Sequence, residues 1–545
     1  MRKLVYTTLA VSLLLAGETL LSAETDKSKD SSKGYVTGSL ESNTNYYVED
    51  ATTKATVPDG NFGSNNYLKV DYYNDKFSAG IQMEAYAPVL LGFSADLKGA
   101  ALTNYYLNWT DEDFAVTVGT LYDQFGSGLL FRAWEDRALG LNNALTGARV
   151  AYNFKDIVAV KALWGMPRYG MKFSSTQVKG ADLSFAISNL AGWQNTYLAL
   201  EGSVMDRYEA LGDDMRVDGC RPNCTGWSGR VNLESNGFFF KGEYVDAGTK
   251  YMYDLEYAGS GQMYLRKKGN AQLIETGYNG RGLGVNLTLR RLEWMGAKVA
   301  LDGTSSVNLL NYVPAMCTQY TYMLTTINPY SSQIGDIKPG FINSGEMGGQ
   351  LDVFYNFRRG TLLGGKRGMK VHANFSTYYA IAEEGTFKPG NMLFRDLSVD
   401  VEKPWSKKFK STFLWSMQAW SPKAGANKTV YLSNIFVADL LYKFTETFST
   451  RLELQYLVTF EDMKDWMAAL LEVNFAPHWS IYASDMYNHG STNIHYYNAG
   501  VSYTKSRTRL ALGYGRYRDG YICSGGVCKP IPAYTGANLS LTMSF

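Results

Sequence analysis

Short runs of strictly alternating apolar and polar residues recur along most of this 545-residue chain. In residues 282–290 the apolar side chains Leu283, Val285, Leu287 and Leu289 occupy every second position. The same pattern returns in three further runs, at 369–379, 451–458 and 507–514. A period of two residues gives an extended strand one apolar and one polar face. The pattern therefore predicts an all-β fold built from two-faced strands.

Composition narrows the choice of β fold. The chain has 40 Tyr, 26 Phe and 54 Gly but only 13 Pro, a profile typical of β-rich proteins. Beyond the N-terminal segment no apolar run reaches the roughly 18 residues of a membrane helix. In lipid only helices and closed barrels satisfy their backbone polar groups. The mature chain is therefore either a soluble protein or a transmembrane β-barrel.

The connections between strands favour the barrel. Tight polar turns occur at 74–75, 111–112, 155–156, 235–237, 279–280 and 505–506. They alternate with longer connections at 50–65, 167–179, 205–226, 247–268, 294–345 and 517–534. Short periplasmic turns and long extracellular loops are typical of outer-membrane barrels. We predict a large transmembrane antiparallel β-barrel of about 24 strands, within a range of about 18 to 26.

The strand count is even and places both chain ends on the periplasmic side, as such barrels require. The least strand-like of the predicted strands is 466–475, for which a helix is the alternative. The predicted strands lie near 34–49, 66–73, 77–87, 101–110, 113–122, 145–154, 157–166, 180–188, 195–204, 227–234, 238–246, 269–278, 282–293, 346–357, 368–380, 392–402, 409–420, 429–442, 446–460, 466–475, 479–487, 496–504, 507–516 and 535–545.

The N-terminus reads as a secretory signal peptide over residues 1–23. Arg2 and Lys3 precede an apolar stretch, and Ala23 offers a small residue for cleavage. An N-terminal membrane anchor is the alternative. We expect a short periplasmic tail at 24–33, a single barrel over 34–545, and location in the outer membrane of a Gram-negative bacterium.

The C-terminal strand carries a further indication of membrane insertion. Leu539, Leu541 and Met543 alternate, and the chain ends on Phe545. A terminal aromatic on such a strand resembles the signal by which outer-membrane barrels are recognised. This predicts the barrel-assembly machinery as a partner, and outer-membrane lipid and lipopolysaccharide as the surroundings. A soluble β-protein that happens to end in Phe is the alternative.

Aromatic residues support a membrane setting, because Tyr and Trp favour the membrane–water boundary. Trp109, Trp164, Tyr442 and Trp479 fall near predicted strand ends. Ordinary strand propensity explains some of these positions equally well.

The cysteines form two close pairs with one left over. Cys220 with Cys224 and Cys523 with Cys528 are disulfide candidates in an exported chain, and Cys317 is unpaired. No histidine lies near either pair, so we expect no metal site.

One segment, 122–149, departs from the alternating pattern. Gly126 and Gly128 permit a sharp turn off the wall, and a charged cluster follows at Arg132, Glu135, Asp136 and Arg137, with Arg149 beyond it. Spacing suggests a short helix in which Arg132 pairs with Glu135 or Asp136. The segment is either an inward pore constriction or a solvated surface loop. Loops 123–144 and 294–345 are the candidates to enter the lumen.

The motif within 122–149, FGSGL followed by EDR, LG, NA and G-x-R, resembles the signature of an uncharacterised outer-membrane β-barrel family from Bacteroidota. The resemblance covers about 28 residues. It implies an outer-membrane barrel and no particular activity.

We expect a porin-like passive channel for small polar solutes, with no cofactor and no catalytic residues. The formal net charge of only +2 does not indicate a polyanionic partner such as nucleic acid. Two alternatives remain. The barrel could anchor loops that act as a surface antigen, adhesin or assembly partner. It could also be an outer-membrane hydrolase using Ser491 with His489 or His495, although nucleophile–base pairs are defined by geometry.

Overall fold

The computed structural model describes residues 34–55, 57–208, 222–253, 264–299, 309–335, 337–338, 341–342 and 344–545. The predicted signal peptide and periplasmic tail lie outside these residues and stay predictions.

Within the described residues, 24 antiparallel strands form one closed barrel. The first strand pairs with the last, from Ser39 opposite Ser544 to Val48 opposite Thr535, so no edge remains open. In chain order β1 to β24 are Tyr35–Val48, Phe62–Asn74, Phe77–Tyr86, Gly99–Thr110, Phe114–Leu121, Leu145–Phe154, Val158–Tyr169, Gln177–Ala186, Thr196–Tyr208, Asn223–Ser235, Phe238–Tyr253, Tyr264–Gly280, Leu283–Glu293, Gly345–Phe357, Met369–Ile381, Pro389–Pro404, Phe409–Trp420, Tyr431–Lys443, Phe448–Val458, Trp466–Phe475, Trp479–Tyr487, His495–Lys505, Thr508–Tyr517 and Tyr534–Ser544. The predicted fold class and strand number are confirmed.

Trp466–Phe475 is strand β20, paired on both sides, so the predicted strand is confirmed and the helical alternative is wrong. One expectation about strand length needs correction. Several strands continue beyond their predicted ends on the long-loop side. For example, β11 reaches Tyr253 through an irregularity between Asp246 and Thr249. Cross-strand pairing extends these strands into sequence that has lost its simple alternation.

Most connections at one end are tight and those at the other end are long, so we call these the short-turn end and the long-loop end. Two short-turn connections are larger: 187–195 contains helix α1, Ile187–Ala191, and 358–368 forms a coil. No helix in the described part of the chain is long and apolar enough to span a bilayer.

The outer face is apolar, with Leu289, Leu454 and Leu512 among its exposed side chains. Near the short-turn end it carries contacting aromatic pairs: Trp109–Phe114, Phe238–Tyr278, Tyr355–Phe357, Phe409–Tyr442 and Trp479–Tyr503. Such a girdle is typical of a membrane boundary. Trp164 lies midway along β7 rather than at a strand end.

Three of the predicted insertion residues lie on β24, and Phe545 follows that strand directly. Leu539 is exposed on the outer face, and Leu541 and Met543 follow at the same period. Phe545 bonds through its N–H to the Gly38 carbonyl (2.9 Å), and its own carbonyl accepts from the Gly38 N–H (2.8 Å). Recognition by assembly machinery stays a prediction.

Candidate functional site

Segment 122–144 leaves the wall after β5 and folds into two small hairpins inside the barrel. Asp123–Phe125 pairs with Phe131–Ala133, and Glu135–Asp136 pairs with Leu141–Asn142. The predicted short helix is therefore wrong. Cross-strand backbone bonds replace helical ones, because the chain reverses again at 137–140, where Gly140 has a φ of +66°.

The turn of the first hairpin depends on its glycines. Gly126 and Gly128 have φ values of +53° and +90°, a region that side chains with a Cβ rarely adopt. A Cβ on Gly126 would lie 2.5 Å from Cδ of Arg230 and 2.7 Å from Oε1 of Glu243, both on the wall. Any other residue here would need both a left-handed backbone and a shift of the Arg230 and Glu243 side chains.

Apolar side chains hold this segment against the lumenal wall. Phe125 and Phe131 are 0% exposed, and Leu129 and Leu130 are also buried. They belong to one cluster with wall residues Leu121, Leu145, Leu163, Val178, Met205 and Val245. Because burying one such side chain is worth about 1.5–3 kcal/mol, the segment is a packed part of the fold and not a solvated loop.

The long connection after β13 packs against the same segment. The N–H of Arg132 donates to the Leu310 carbonyl (2.8 Å), and the N–H of Tyr312 donates to the Gly128 carbonyl (2.8 Å). We call residues 122–144 together with the described residues between 294 and 344 the plug. Both predicted lumenal loops thus contribute to one structure inside the barrel.

Two buried amides join the halves of the plug. Asn143 donates through Nδ2 to the Leu309 carbonyl (2.5 Å) and accepts from the Trp134 N–H (2.6 Å). Asn311 donates through Nδ2 to the carbonyls of Leu129 (3.1 Å) and Met295 (2.8 Å). Neither was predicted as a site residue: Asn143 belongs to the NA of the motif but was given no role, and Asn311 has no distinctive sequence signal.

The predicted charged residues make plug contacts that differ from those expected. Arg137, rather than Arg132, pairs with Glu135 (3.2 Å), and it also reaches Glu41 of β1 (2.8 Å). The Arg132 guanidinium lies over the rings of Trp134 (4.4 Å) and Tyr312 (4.0 Å). The expected Arg132 pairing fails because the hairpin turns its side chain toward those rings.

Asp136 and Arg149 complete the predicted set. Asp136 accepts from the Leu139 N–H (2.9 Å) and so braces the second hairpin. Arg149 on β6 lies 3.4 Å from Asp123, which also pairs with Lys161 (2.6 Å). A role of these charges in pore selectivity stays a prediction.

Burial by itself would lower the pKa of the Arg137 guanidinium. The nearby carboxylates of Glu135 and Glu41 outweigh burial and raise that pKa above its ordinary value. Arg137 therefore stays charged and links the plug to β1.

The second half of the plug descends almost to the short-turn end. The Tyr320 hydroxyl donates to Asp400 on β16 (2.8 Å). Asp400 contacts Nδ1 of His372 (2.7 Å), and Asp352 contacts its Nε2 (2.6 Å). His372 is only the fourth residue of β15, counted from the short-turn end. The plug thus spans most of the barrel length along this side.

A cysteine-bridged hairpin covers the plug at the long-loop end. A disulfide joins Cys523 and Cys528, whose short strands Gly520–Ser524 and Val527–Ile531 pair. The Tyr312 hydroxyl donates to the Gly525 carbonyl, and the Ala315 N–H donates to the Gly526 carbonyl (2.8 Å).

The other cysteines have different surroundings. Cys224 is buried and directs its Sγ to the Ala247 carbonyl (3.4 Å). Cys220, its predicted partner, lies outside the described residues. Cys317 lies in the plug, and burial raises the pKa of its thiol.

One part of the lumenal wall is less buried than the part that faces the plug. Its side chains are Tyr482, Ser484, Asn498, Ser502, Asn538, Ser540 and Asn43, all half-buried. We call these residues, on β21, β22, β24 and β1, the polar sector. By contrast, Ser376, Ser398, Ser416 and Ser433 face the plug side of the lumen and are 0% exposed.

Hydrogen bonds in the polar sector join neighbouring strands. Ser540 donates to Asn43 (2.8 Å), and Tyr482 donates to Asn498 (3.2 Å). Toward the long-loop end the sector meets three tyrosine rings: Tyr517 stacks on Tyr534 at 4.5 Å between ring centroids, and Tyr47 meets Tyr534 edge to face at 5.5 Å. The side chains that define the sector are therefore polar and uncharged, with Glu472 opposite Tyr482 at its edge and a tyrosine cluster at its long-loop end.

The residues considered for hydrolysis have other contacts. His495 bonds to Asp485 (2.6 Å) and stacks on Tyr487, while His489 stacks on Tyr456. Ser491 bonds through its backbone N–H to Asn488 (3.1 Å). Among the residues that the structure describes, no group of three or more His, Cys, Asp or Glu side chains could hold a metal ion.

Comparison with known proteins identifies the family but no activity. A model described as a family of unknown function (DUF6029) matches residues 1–545, so the chain belongs to that family. No curated protein sequence matches the chain.

Solved structures share the barrel architecture at low identity. The siderophore receptor PirA from Pseudomonas aeruginosa is 10% identical with a TM-score of 0.43, covering 94% of this chain and 80% of the receptor. The P pilus usher PapC translocation pore is 9% identical with a TM-score of 0.42, covering 94% and 99%. These similarities identify neither a substrate nor a partner.

Proposed function

We propose that this DUF6029 protein is a passive outer-membrane channel for small polar solutes. In this proposal the polar sector forms the path, and the plug closes the remainder of the lumen. One observation carries it: lumenal Ser and Asn side chains stay half-buried in the polar sector, whereas serines on the plug side are fully buried.

The chemistry of the polar sector suits small uncharged or weakly charged solutes. Its hydroxyls and amides can exchange hydrogen bonds with a solute at little cost. The cluster of Tyr47, Tyr517 and Tyr534 would limit solute size at the long-loop end. The charges of Arg137, Glu135 and Glu41 belong to the plug edge, where they would bias ion selectivity.

Single-channel recording in planar bilayers tests the proposal. We expect ohmic conductance that falls by at least about half in Ser540→Trp, because the indole would occupy the path. Leu512→Trp on the neighbouring strand β23 is the matched control, since the Leu512 side chain is exposed on the outer face, and it should leave conductance unchanged.

Tyr534→Ala should raise conductance if the tyrosine cluster limits the path. A barrel that stays closed in the wild type and in Tyr534→Ala would contradict the channel. It would favour the alternative in which the barrel anchors surface loops or an envelope partner.

A further inference from the structure

The connection between β14 and β15, residues 358–368, differs from the other short-turn connections in charge. It contains Arg358, Arg359, Lys366 and Arg367 and no acidic residue. The neighbouring turn between β16 and β17 adds Lys407 and Lys408. Positive charge is therefore concentrated on one arc of the barrel rim, although the formal net charge of the chain is only +2.

The connection has a defined conformation that turns its side chains outward. Its backbone bonds to itself, with the N–H groups of Gly360, Gly365 and Gly368 donating to the carbonyls of Gly365, Thr361 and Gly364 at 2.7–2.8 Å. A Cβ on Gly364 would overlap the carbonyl oxygen of Arg358. The glycines thus let the coil close without help from its charged side chains.

The connection lies toward the membrane side of the rim. Lys403 donates through Nζ to the carbonyls of Leu363 (2.6 Å) and Gly364 (3.0 Å). Asp400 faces the lumen, where it contacts Tyr320. Lys403 is three residues further along the same strand, so it occupies the opposite, outer face.

Apolar side chains accompany the cations on this outer side. Leu362 is 99% exposed, Leu363 53% and Trp405 58%. The aromatic pairs Tyr355–Phe357 and Phe409–Tyr442 lie on the adjacent strand ends. Exposed leucines and a tryptophan beside that girdle match the boundary between acyl chains and headgroups.

The cations of this coil are available for an anionic ligand. Arg358, Arg359 and Lys366 are exposed, Arg367 is half-buried, and none forms an ion pair with any described residue. The one ion pair nearby joins Lys410 to Glu402 (3.0 Å) and leaves these four uncompensated. Guanidinium groups bind phosphate oxygens through paired hydrogen bonds.

We propose that residues 358–368 bind the phosphate headgroups of anionic phospholipids in the leaflet at the short-turn end. Leu362 and Leu363 insert among the acyl chains, and the four cations contact the headgroups. In the expected orientation this is the periplasmic leaflet. The site requires a membrane location but does not depend on channel activity.

Native mass spectrometry of the full chain in detergent, titrated with phosphatidylglycerol or phosphatidylcholine, tests the site. The variant R358Q/R359Q/K366Q/R367Q should lose affinity for phosphatidylglycerol by at least about tenfold, since each cation near an anionic surface contributes about fivefold. The matched control K54Q/K388Q/K423Q/K428Q removes the same charge at the long-loop end and should change affinity less than about twofold. Heat-modified migration in SDS gels verifies folding, and R358Q/R359Q is used if the quadruple variant misfolds.

Further arms separate the lipid from other anions. L362S/L363S should weaken phosphatidylglycerol binding without changing the weak binding of inorganic phosphate. Equal phosphatidylglycerol affinity in the wild type and R358Q/R359Q/K366Q/R367Q would overturn the proposal. If inorganic phosphate binds as tightly as the lipid, the proposal is overturned in favour of free phosphate. If the protein captures polyglutamate while R358Q/R359Q/K366Q/R367Q leaves lipid binding unchanged, it is overturned in favour of an acidic protein.

Discussion

Glu84 and Arg168 illustrate how much a single buried ion pair in the lumen contributes to the stability of the fold. Two bonds of 2.7 Å join them, and their side chains are 0% and 1% exposed. Removing one partner leaves an uncompensated buried charge, so Glu84→Gln should lower the free energy of unfolding by about 3–5 kcal/mol. Urea titration followed by tryptophan fluorescence measures this change.

Lys76→Gln is the control for Glu84→Gln. Lys76 pairs with Asp111 (2.6 Å), but both side chains are substantially exposed. Its removal should lower the free energy of unfolding far less than Glu84→Gln does, because solvent screens an exposed pair. If the two variants lose similar amounts of unfolding free energy, burial does not make the Glu84–Arg168 pair more important than an exposed one.

Lys529 predicts a pH-dependent stability. Its side chain is buried (4% exposed), and burial lowers the pKa of the amine to about 8, with Asp136 acting in the opposite direction. The unfolded chain then binds more protons between about pH 8 and 10.5, so stability should rise with pH across that window. The loss of stability caused by burying the charged Lys529 amine is fully present below about pH 8.

Lys529→Met should therefore stabilise the protein at pH 7 and lose this advantage by about pH 10.5. The gain is at most about 3 kcal/mol, because the Phe93 ring attracts the ammonium. Thermal unfolding across this pH range measures it, with exposed Lys388→Met as control. A pH-independent difference would show that Lys529 titrates normally.

At the scale of elements, the first hairpin of the plug depends on Gly126. Gly126→Ala adds left-handed strain of about 1 kcal/mol and a contact with Arg230 and Glu243. Gly192→Ala imposes the same kind of strain, at φ +68°, where a Cβ meets nothing within 4 Å. Only Gly126→Ala should loosen the plug, which limited proteolysis of 122–144 detects. Equal cleavage in both variants would mean that the close contact of Gly126 with Arg230 and Glu243 does not hold the plug in place.

The two halves of the plug depend on their bridging amides. Asn143→Ala with Asn311→Ala leaves buried backbone groups unsatisfied, at about 1–3 kcal/mol each. We expect faster hydrogen exchange in 309–335 and higher conductance, with the barrel strands still protected. Asn427→Ala is the control, because Asn427 accepts from Thr429 of its own loop (3.0 Å). Unchanged exchange in the double variant would show that apolar packing alone joins the halves.

At the scale of the whole molecule, closure between β1 and β24 determines resistance to detergent. We expect faster migration in SDS gels without heating than after boiling, because a closed barrel has no open edge. Deleting 534–545 should abolish the fast form. Deleting 423–428 from a loop should preserve it, and loss of the fast form there would contradict the role of closure.

The sequence by itself determined the number of strands, the alternation of turn lengths and the two faces of the wall. These features follow from period-two alternation and turn residues, which act over a few positions. It also indicated the segment with Gly126 and Gly128, because a dense charge cluster interrupts that alternation. The conformation of that segment was not predictable. The local spacing of its charges favours a helix, whereas the hairpin is stabilised only by contacts with the barrel wall.

Tertiary structure alone decided what these features contact. Asn143 bonds to a residue 166 positions away and Asn311 to one 182 positions away. Arg132 lies on the ring of Tyr312, and Arg137 pairs across to Glu41. Such contacts carry no local pattern, because closing the wall brings distant segments into one lumen. Local periodicity thus determined the barrel, and barrel closure decided what fills it.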